Sequence, residues 1–452
     1  YYFRNEILIF SVINIYIMSK HELIEINDFK IILNNDTSAK TTMVESYISS
    51  GFINENNENA GISHLLEHVV TEGWEKCGKK GCQAYWKKKG VLTNASTGQT
   101  TIQYYMHGLS EYASEMVDYI VSISINPEIT KSRMDKEIKA VHNELMIHAA
   151  HPQMGLYNLL NKMLFRIEGL VVQDDMPLQI KNLKKFTVEQ LKSWCERFYG
   201  SGNIIFVISG NFSKSKIINL LRKKLVKARP IKVIPRYSDI FKPGLEVSFL
   251  KNPSIDNTTI AFSFHAPIYQ KDMDVFYIDF FKEFIGSGIT SLLMEELREK
   301  RQWIYNVGLD NYTSPYGTFI IIEISTKNKH IRNVIDNTLK ILKRLATGKF
   351  KENYLEYVKK AYMVEHYETC LNNSYLSSFY GEQYINQLYN VDEEPVILSF
   401  KQVADAILNL TKFNFVSFIK KLLIFANMKI AYQGKKEEPN LKAMVLRRIG
   451  AK

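Results

Sequence analysis

The segment His64-Leu65-Leu66-Glu67-His68 carries the two side-chain types that a hydrolytic metal site requires. Imidazole nitrogens can hold a divalent ion, and a carboxylate beside them can take a proton from water. On a helix, positions 64 and 68 stack one turn apart and position 67 projects beside them. Ile62, Leu65, Leu66 and Val69 then fall on the opposite side, as the helix's own apolar stripe. Two imidazoles placed in this way can meet one Zn²⁺ at about 2.0–2.1 Å. The order His-x-x-Glu-His is the inverse of the commoner zincin order.

A catalytic zinc takes three protein ligands and keeps a fourth position for water, so the pattern calls for a further ligand from another helix. Glu144 fits. In the segment 135–145, Ile138, Val141 and Leu145 form an apolar stripe at helical spacing, and Glu137 and Glu144, seven residues apart, lie in one row along its border. Carboxylates at a core-facing edge cost free energy unless a cation meets them, whereas Lys136, Lys139 and Asn143 suit the solvated face.

These residues resemble the pitrilysin/insulinase family of inverzincin zinc peptidases, which includes the mitochondrial processing peptidases. That family carries His-x-x-Glu-His followed, a little over seventy residues on, by a ligand Glu with another Glu seven before it. Here Glu144 follows His68 by 76 residues, and the likeness runs from about Glu22 to about Gly434. The resemblance implies one Zn²⁺ per chain on His64, His68 and Glu144, with Glu67 as general base and Glu137 supporting the site from behind. It implies that Asn94-Ala95 lies on a sheet edge where substrate adds as a strand, contributing backbone hydrogen bonds indifferent to side chains. Arg298 and Tyr305, seven apart, match the family's Arg/Tyr element, which reaches the substrate carbonyl and the developing oxyanion. A charged amphipathic helix would also account for Arg298, Glu299 and Lys300, but it makes no demand for Tyr305.

The elements that must position these groups follow from pattern. Glu22–Ile26 and Phe29–Leu33 read as a hairpin about Asn27-Asp28, and Thr41–Ser50 as a strand leading into the metal helix. Gln83–Lys89 reads as a helix ended by Gly90, Thr101–Gly108 as a strand, and Glu111–Ile125 and Glu189–Phe198 as helices. Asn203–Gly210 reads as a buried strand of Ile, Phe and Val. Residues 228–243 hold Pro230, Pro235 and Pro243, the composition of a linker. Beyond it Thr258-Thr259-Ile260 repeats Thr41-Thr42-Met43, and Thr318-Phe319 repeats Thr101-Ile102, both at an offset of 217 residues. The same shift puts Phe281, Phe284 and Ile285 at the positions of His64, Glu67 and His68, and Ala361 at that of Glu144, so the second copy has no metal site.

The expected fold is therefore α+β: two tandem similar domains, each a mainly antiparallel sheet with helices packed on one face. Their expected bounds are 18–227 for the catalytic domain, 228–243 for the linker and 244–452 for the second domain. By resemblance, the pair forms half of a clamshell chamber. Residues 1–17 read as a tail, with Met18 as the expected start; the apolar run Ile7–Ile17 is too short to span a bilayer. Four cysteines in 452 residues, with no C-x-x-C pair, predict a reducing compartment without disulfides, and an intracellular location is the default. The net charge of +11 is spread over stretches without a nucleic-acid motif, so neither nucleic acid nor membrane is an expected partner. The expected function is zinc-dependent cleavage of peptides or unfolded segments. The expected assembly is a homodimer sharing sites between chains, with a heterodimer as the alternative. The rival function is a structural subunit of the processing-peptidase type.

Overall fold

The computed structural model describes residues 21–226, 231, 237, 239–286, 291–388 and 395–450. The expected tail 1–17, Met18, much of the expected linker and Ser287-Gly288 lie outside them.

In the N-terminal half, β1 (Glu22–Ile26) and β2 (Phe29–Asn35) form the expected hairpin. Its two-residue turn places Asn27 at φ 49° and Asp28 at φ 64°, the left-handed region that these short polar side chains tolerate. With β3 (Thr41–Ile48), β4 (Leu92–Thr97), β5 (Ile102–Leu109) and β6 (Ile204–Gly210) they make a six-stranded sheet in the order β1-β2-β6-β3-β5-β4. Only β2 and β6 run parallel; the other pairs are antiparallel.

The second sheet comprises β7 (Glu246–Lys251), β8 (Asn257–Ala266), β9 (Ile304–Ser314), β10 (Gly317–Lys327) and β11 (Lys429–Gly434). Its order is β7-β11-β8-β10-β9, again with one parallel pair, β7 and β11, beside antiparallel ones. Order and sense repeat those of β2-β6-β3-β5-β4, and β8 and β10 contain the positions that the 217-residue offset assigns to them.

The helices that bear on function are α1 (Ile62–Thr71), α2 (Cys82–Lys87), α3 (Ala113–Ile125), α4 (Lys131–Ala149), α5 (Met154–Leu164), α6 (Asp274–Ile285), α7 (Ile331–Ala346), α8 (Asn373–Ile385) and α9 (Leu441–Ile449). The sequence predicts helices on one face of each sheet; in the first sheet both faces are covered. Adjacent residues of β3 point to opposite faces, and there Ser46 meets Ser124 of α3 at 2.7 Å while Tyr47 packs in a core with Leu376, Tyr380 and Tyr384 of α8. This two-sided cover explains why β6, in the middle of the sheet, is buried at every residue.

The contact-compact units accordingly differ from contiguous halves. One takes in the chain up to His148, Glu168–Arg236 and Tyr367–Lys401; the other takes in Ala149–Ile167, Tyr237–His366 and the chain from Gln402. The segment with α8 thus folds with the first sheet, and α5 packs on β7 and β11 of the second. Nothing in local periodicity signals such an exchange, because it depends on contacts between elements remote in sequence.

One expectation is corrected. Cys77 and Cys82 form a disulfide. Gly78 at φ 65° and Gly81 at φ 84° turn the chain tightly enough to bring the two Cα atoms to 4.7 Å, so a spacing outside the C-x-x-C pattern still pairs. Cysteine usage therefore no longer argues for a reducing compartment. Among the described residues no helix is long and apolar enough to cross a membrane.

Candidate metal centre

Helix α1 starts where two physical requirements meet. Gly61 takes φ 93°, a turn that an L side chain would strain, and the buried Glu55 carboxylate accepts hydrogen bonds from the Gly61 N–H at 2.8 Å and the Ser63 N–H at 2.9 Å. A carboxylate there also faces the positive end of the helix dipole. Burial pushes the Glu55 carboxyl up to about 7, against the pull of those two hydrogen bonds. Ile62, Leu65, Leu66, Val69 and Val70 are buried, which leaves His64 and His68 on the other face, their ring centroids 5.0 Å apart.

Helix α4 brings its acidic row to that face. His64 Nε2 lies 3.7 Å from Glu144 Oε1, and His68 Nε2 lies 3.4 Å from Glu144 Oε2. One ligand atom each from His64, His68 and Glu144 falls within 4.8 Å of the others, the one such group of three among the described residues. Donors about 2.0–2.1 Å from a tetrahedral ion stand about 3.4 Å from one another, so the two His–Glu separations are of the size that zinc requires. The donor set, two imidazoles and a carboxylate, is also a zinc set.

Electrostatics prepares the same atoms. Burial first, and then the neighbouring His68, push His64 down to about 4, which keeps its imidazole neutral and able to donate a lone pair. Burial lowers His68 too, but its hydrogen bond to Glu137 and the charges of Glu67 and Glu144 outweigh that and hold the ring above its ordinary value. Glu137 Oε2 lies 3.5 Å from His68 Nδ1, on the ring edge away from Glu144, and so turns Nε2 toward the shared centre. Glu137 is 7% exposed and is paired with Lys136 at 3.1 Å, whose Nζ also lies 3.6 Å from Glu72. Glu72 in turn accepts from the Cys82 N–H at 3.2 Å, so the disulfide loop leads back to the histidine.

Glu67, also 7% exposed, accepts a hydrogen bond from Thr97 Oγ1 at 2.6 Å. Burial pushes its carboxyl up to about 7 despite that bond. Thr97 ends β4, the edge strand of the first sheet, with one side open to an added strand. Ala95 shares the Thr97 face, whereas Asn94 points to the other and donates to the Tyr105 hydroxyl at 3.1 Å.

Arg298 and Tyr305 belong to the second unit. Arg298 sits on a π-helical turn, Met294–Glu299, with Glu299 at 3.8 Å, and Tyr305 is 47% exposed on β9. The helix ends before Tyr305, at a left-handed Gln302 (φ 55°), so one continuous charged helix does not describe the pair. At the shifted positions in α6, Phe281, Phe284 and Ile285 are all buried.

Sequence reasoning missed Glu55, Thr97 and the bridge Glu72–Lys136. An acid just before a Gly-started helix is a readable signal for Glu55. Thr97 carries none, since its partner arrives from another element.

Residues 30–172 match the family described as insulinase (peptidase family M16), and residues 185–362 match the peptidase M16 inactive domain. An uncharacterized zinc protease of Rickettsia felis is 25% identical over 281 residues, which is 61% of this chain and 66% of that protein, just under two thirds. The uncharacterized zinc protease YmxG of Bacillus subtilis is 22% identical over 349 residues, 75% of this chain and 82% of its own. Bovine cytochrome b-c1 complex subunit 1 is 20% identical over 192 residues, 42% of this chain and 40% of that protein. Among solved structures, a protease from Helicobacter pylori superposes with a TM-score of 0.79 at 16% identity, covering 92% of this chain and 100% of its own. That likeness establishes the fold. With both halves matched, the chain belongs to the pitrilysin/insulinase (M16) family of peptidases.

Proposed function

We propose that this chain is a zinc-dependent endopeptidase acting on peptides or unfolded segments. The observation that carries the proposal is the convergence of His64, His68 and Glu144 to within 4.8 Å of one another, beside a buried Glu67 oriented by Thr97. When bound, a zinc ion supplies Lewis acidity, acidifying water and polarising the scissile carbonyl. His64, kept neutral by burial, His68, oriented by Glu137, and Glu144 are the residues that would hold it. Glu67, on the same helix face, takes the proton of the attacking water at its carboxylate and later passes it to the leaving amine. Without the ion, burial raises that carboxyl above its ordinary value, which strengthens it as a base toward the water. The open edge of β4 aligns the substrate backbone, with Asn94 and Ala95 beside the added strand.

Arg298 and Tyr305 complete the site by donating to the oxyanion. We assign them to the site of a second copy of the chain, so that a homodimer enclosing a chamber shares each site between chains. Glu67→Gln and Tyr305→Phe proteins, each inactive, should on subunit exchange regain at most about a quarter of wild-type activity. The likeness to a cytochrome b-c1 subunit favours a structural role as the second reading, with a heterodimeric partner. Against it stands the intact metal set.

The deciding experiment combines zinc analysis with a quenched peptide library. Glu67→Gln should keep about one zinc per chain and lose about 10²–10⁴-fold in turnover. A wild-type protein with zinc and no cleavage supports the structural reading; more than a tenth of the activity left in Glu67→Gln refutes the base assignment.

A further inference from the structure

The second unit holds a cavity of about 420 Å³ with no part in the metal site. Its walls come from the π-helix and the turn after it, from α7 and from α9, and their chemistry is one-sided. Arg301, Lys340, Lys343, Arg344 and Arg448 line it, with Glu296 as the one acidic side chain among them. Asp336, one residue from Asn337 on the rim, is a second carboxylate in the network.

Those two carboxylates are already engaged. Asp336 is clasped by Lys340 at 2.7 Å and by Arg448 Nε at 2.6 Å, and Glu296 by Lys300 at 2.5 Å and Arg301 at 2.8 Å. With Lys300 and its second partner Glu295 included, six cations against three carboxylates leave three positive charges unmatched around one concavity. The clasps also fix the donors. Arg301 is held by the Glu296 carbonyl and lies over the Trp303 ring at 5.4 Å, and Lys343 donates to the Arg448 carbonyl at 3.0 Å, tying α7 to α9. The Arg344 side chain has no hydrogen-bonding or ion-pair partner among the described residues and leaves its whole guanidinium fork available.

Preorganised guanidinium forks favour anions that accept two parallel hydrogen bonds, and phosphate oxygens satisfy that geometry with more charge per volume than a carboxylate. Three unmatched cations in one cavity call for a compact anion carrying about three charges or more, and so for linked phosphates rather than a single carboxylate. We propose that this cavity is a binding site for the polyphosphate group of a small molecule, gripped by Arg301, Lys340, Arg344 and Arg448. The common chemistry is two or more linked phosphates, supplied by an inorganic polyphosphate or by a nucleoside polyphosphate. A ligand there bridges α7 to the segment three residues beyond Arg298. The proposal stands whether or not the metal site is catalytic.

The test is isothermal calorimetry of the intact protein with inorganic tripolyphosphate, with ATP and with a glutamate-rich peptide, each at low and moderate salt. One equivalent of tripolyphosphate should bind, more weakly as salt rises. Arg344→Glu should weaken it at least tenfold, and Arg344→Glu/Lys340→Glu at least a hundredfold. Both side chains are exposed, so the fold should survive, and unchanged zinc content in the variants separates binding in the cavity from chelation of the metal. ATP binding as well as tripolyphosphate assigns the site to nucleoside polyphosphates; tripolyphosphate alone assigns it to the inorganic form, and either supports the proposal. Failure of both phosphates to bind, equal binding to the double variant, or binding of the acidic peptide alone would overturn it.

Discussion

Glu144 and Glu137 stand seven residues apart on α4 and both approach His68, yet replacing each by Gln should have unequal consequences for zinc. Glu144 faces the Nε2 atoms of both histidines, at 3.7 and 3.4 Å, whereas Glu137 faces only Nδ1 of His68, at 3.5 Å. Structural zinc sites with four protein ligands bind with about 10–16 kcal/mol, or about 3 kcal/mol per ligand. Losing the Glu144 carboxylate should therefore weaken zinc by about 3 kcal/mol, more than a hundredfold. Glu137→Gln keeps an oxygen that can accept from Nδ1–H and forfeits only the charge and some orientation. That loss is of the usual size for a group behind a ligand, about 10–100-fold or 1.4–2.7 kcal/mol. Lys136 keeps Glu72 at 3.6 Å in that variant, so no cation is stranded. Competition against a chromophoric chelator at fixed pH reads both constants, with circular dichroism to confirm the fold. Equal affinities in the two variants, or a larger loss from Glu137→Gln, would refute the assignment of ligand and support.

Removing the Glu55 carboxylate should loosen the metal helix from its start. Glu55→Ala leaves the Gly61 and Ser63 N–H groups buried without an acceptor, at a cost of about 1–3 kcal/mol, which faster hydrogen exchange in α1 would report. The buried Glu45 should make the first unit less stable as pH rises. Burial pushes its carboxyl to about 7, against hydrogen bonds from Gln103 and Ser378 and with the charge of Glu382 adding to the rise. A carboxyl raised in the folded state contributes stability that is fully present below about 4.5 and lost as pH climbs through about 7. Glu45→Gln should thus gain about 3 kcal/mol on the wild type between pH 4.5 and 8, read by exchange of β3 amides; a constant difference over that range would contradict it.

Local pattern was enough for whatever depends on a few neighbouring residues. The period of a helix places His64 and His68 one above the other, and the same period puts Glu137 and Glu144 in one row on α4. Alternation and the Asn27-Asp28 turn set the first hairpin, and the 217-residue offset anticipated two sheets of the same order and sense. The loss of the metal set in the second copy was legible as well, because apolar residues stand at the shifted positions.

Tertiary structure alone decided how those pieces meet. That α4 brings Glu144 to 3.4 Å from His68, and that Thr97 reaches Glu67 from the end of an edge strand, are contacts between elements remote in sequence. The cover of the first sheet by α8, more than 300 residues from β3, and the packing of α5 on the second sheet left no local trace. Neither did the Cys77–Cys82 bond, which required two left-handed glycines to close a short loop. In each case the local pattern states that a face is apolar or a carboxylate must be paired, and it is silent on the partner. The partner is selected by which distant surface excludes water from the same space, and that is a property of the folded chain as a whole.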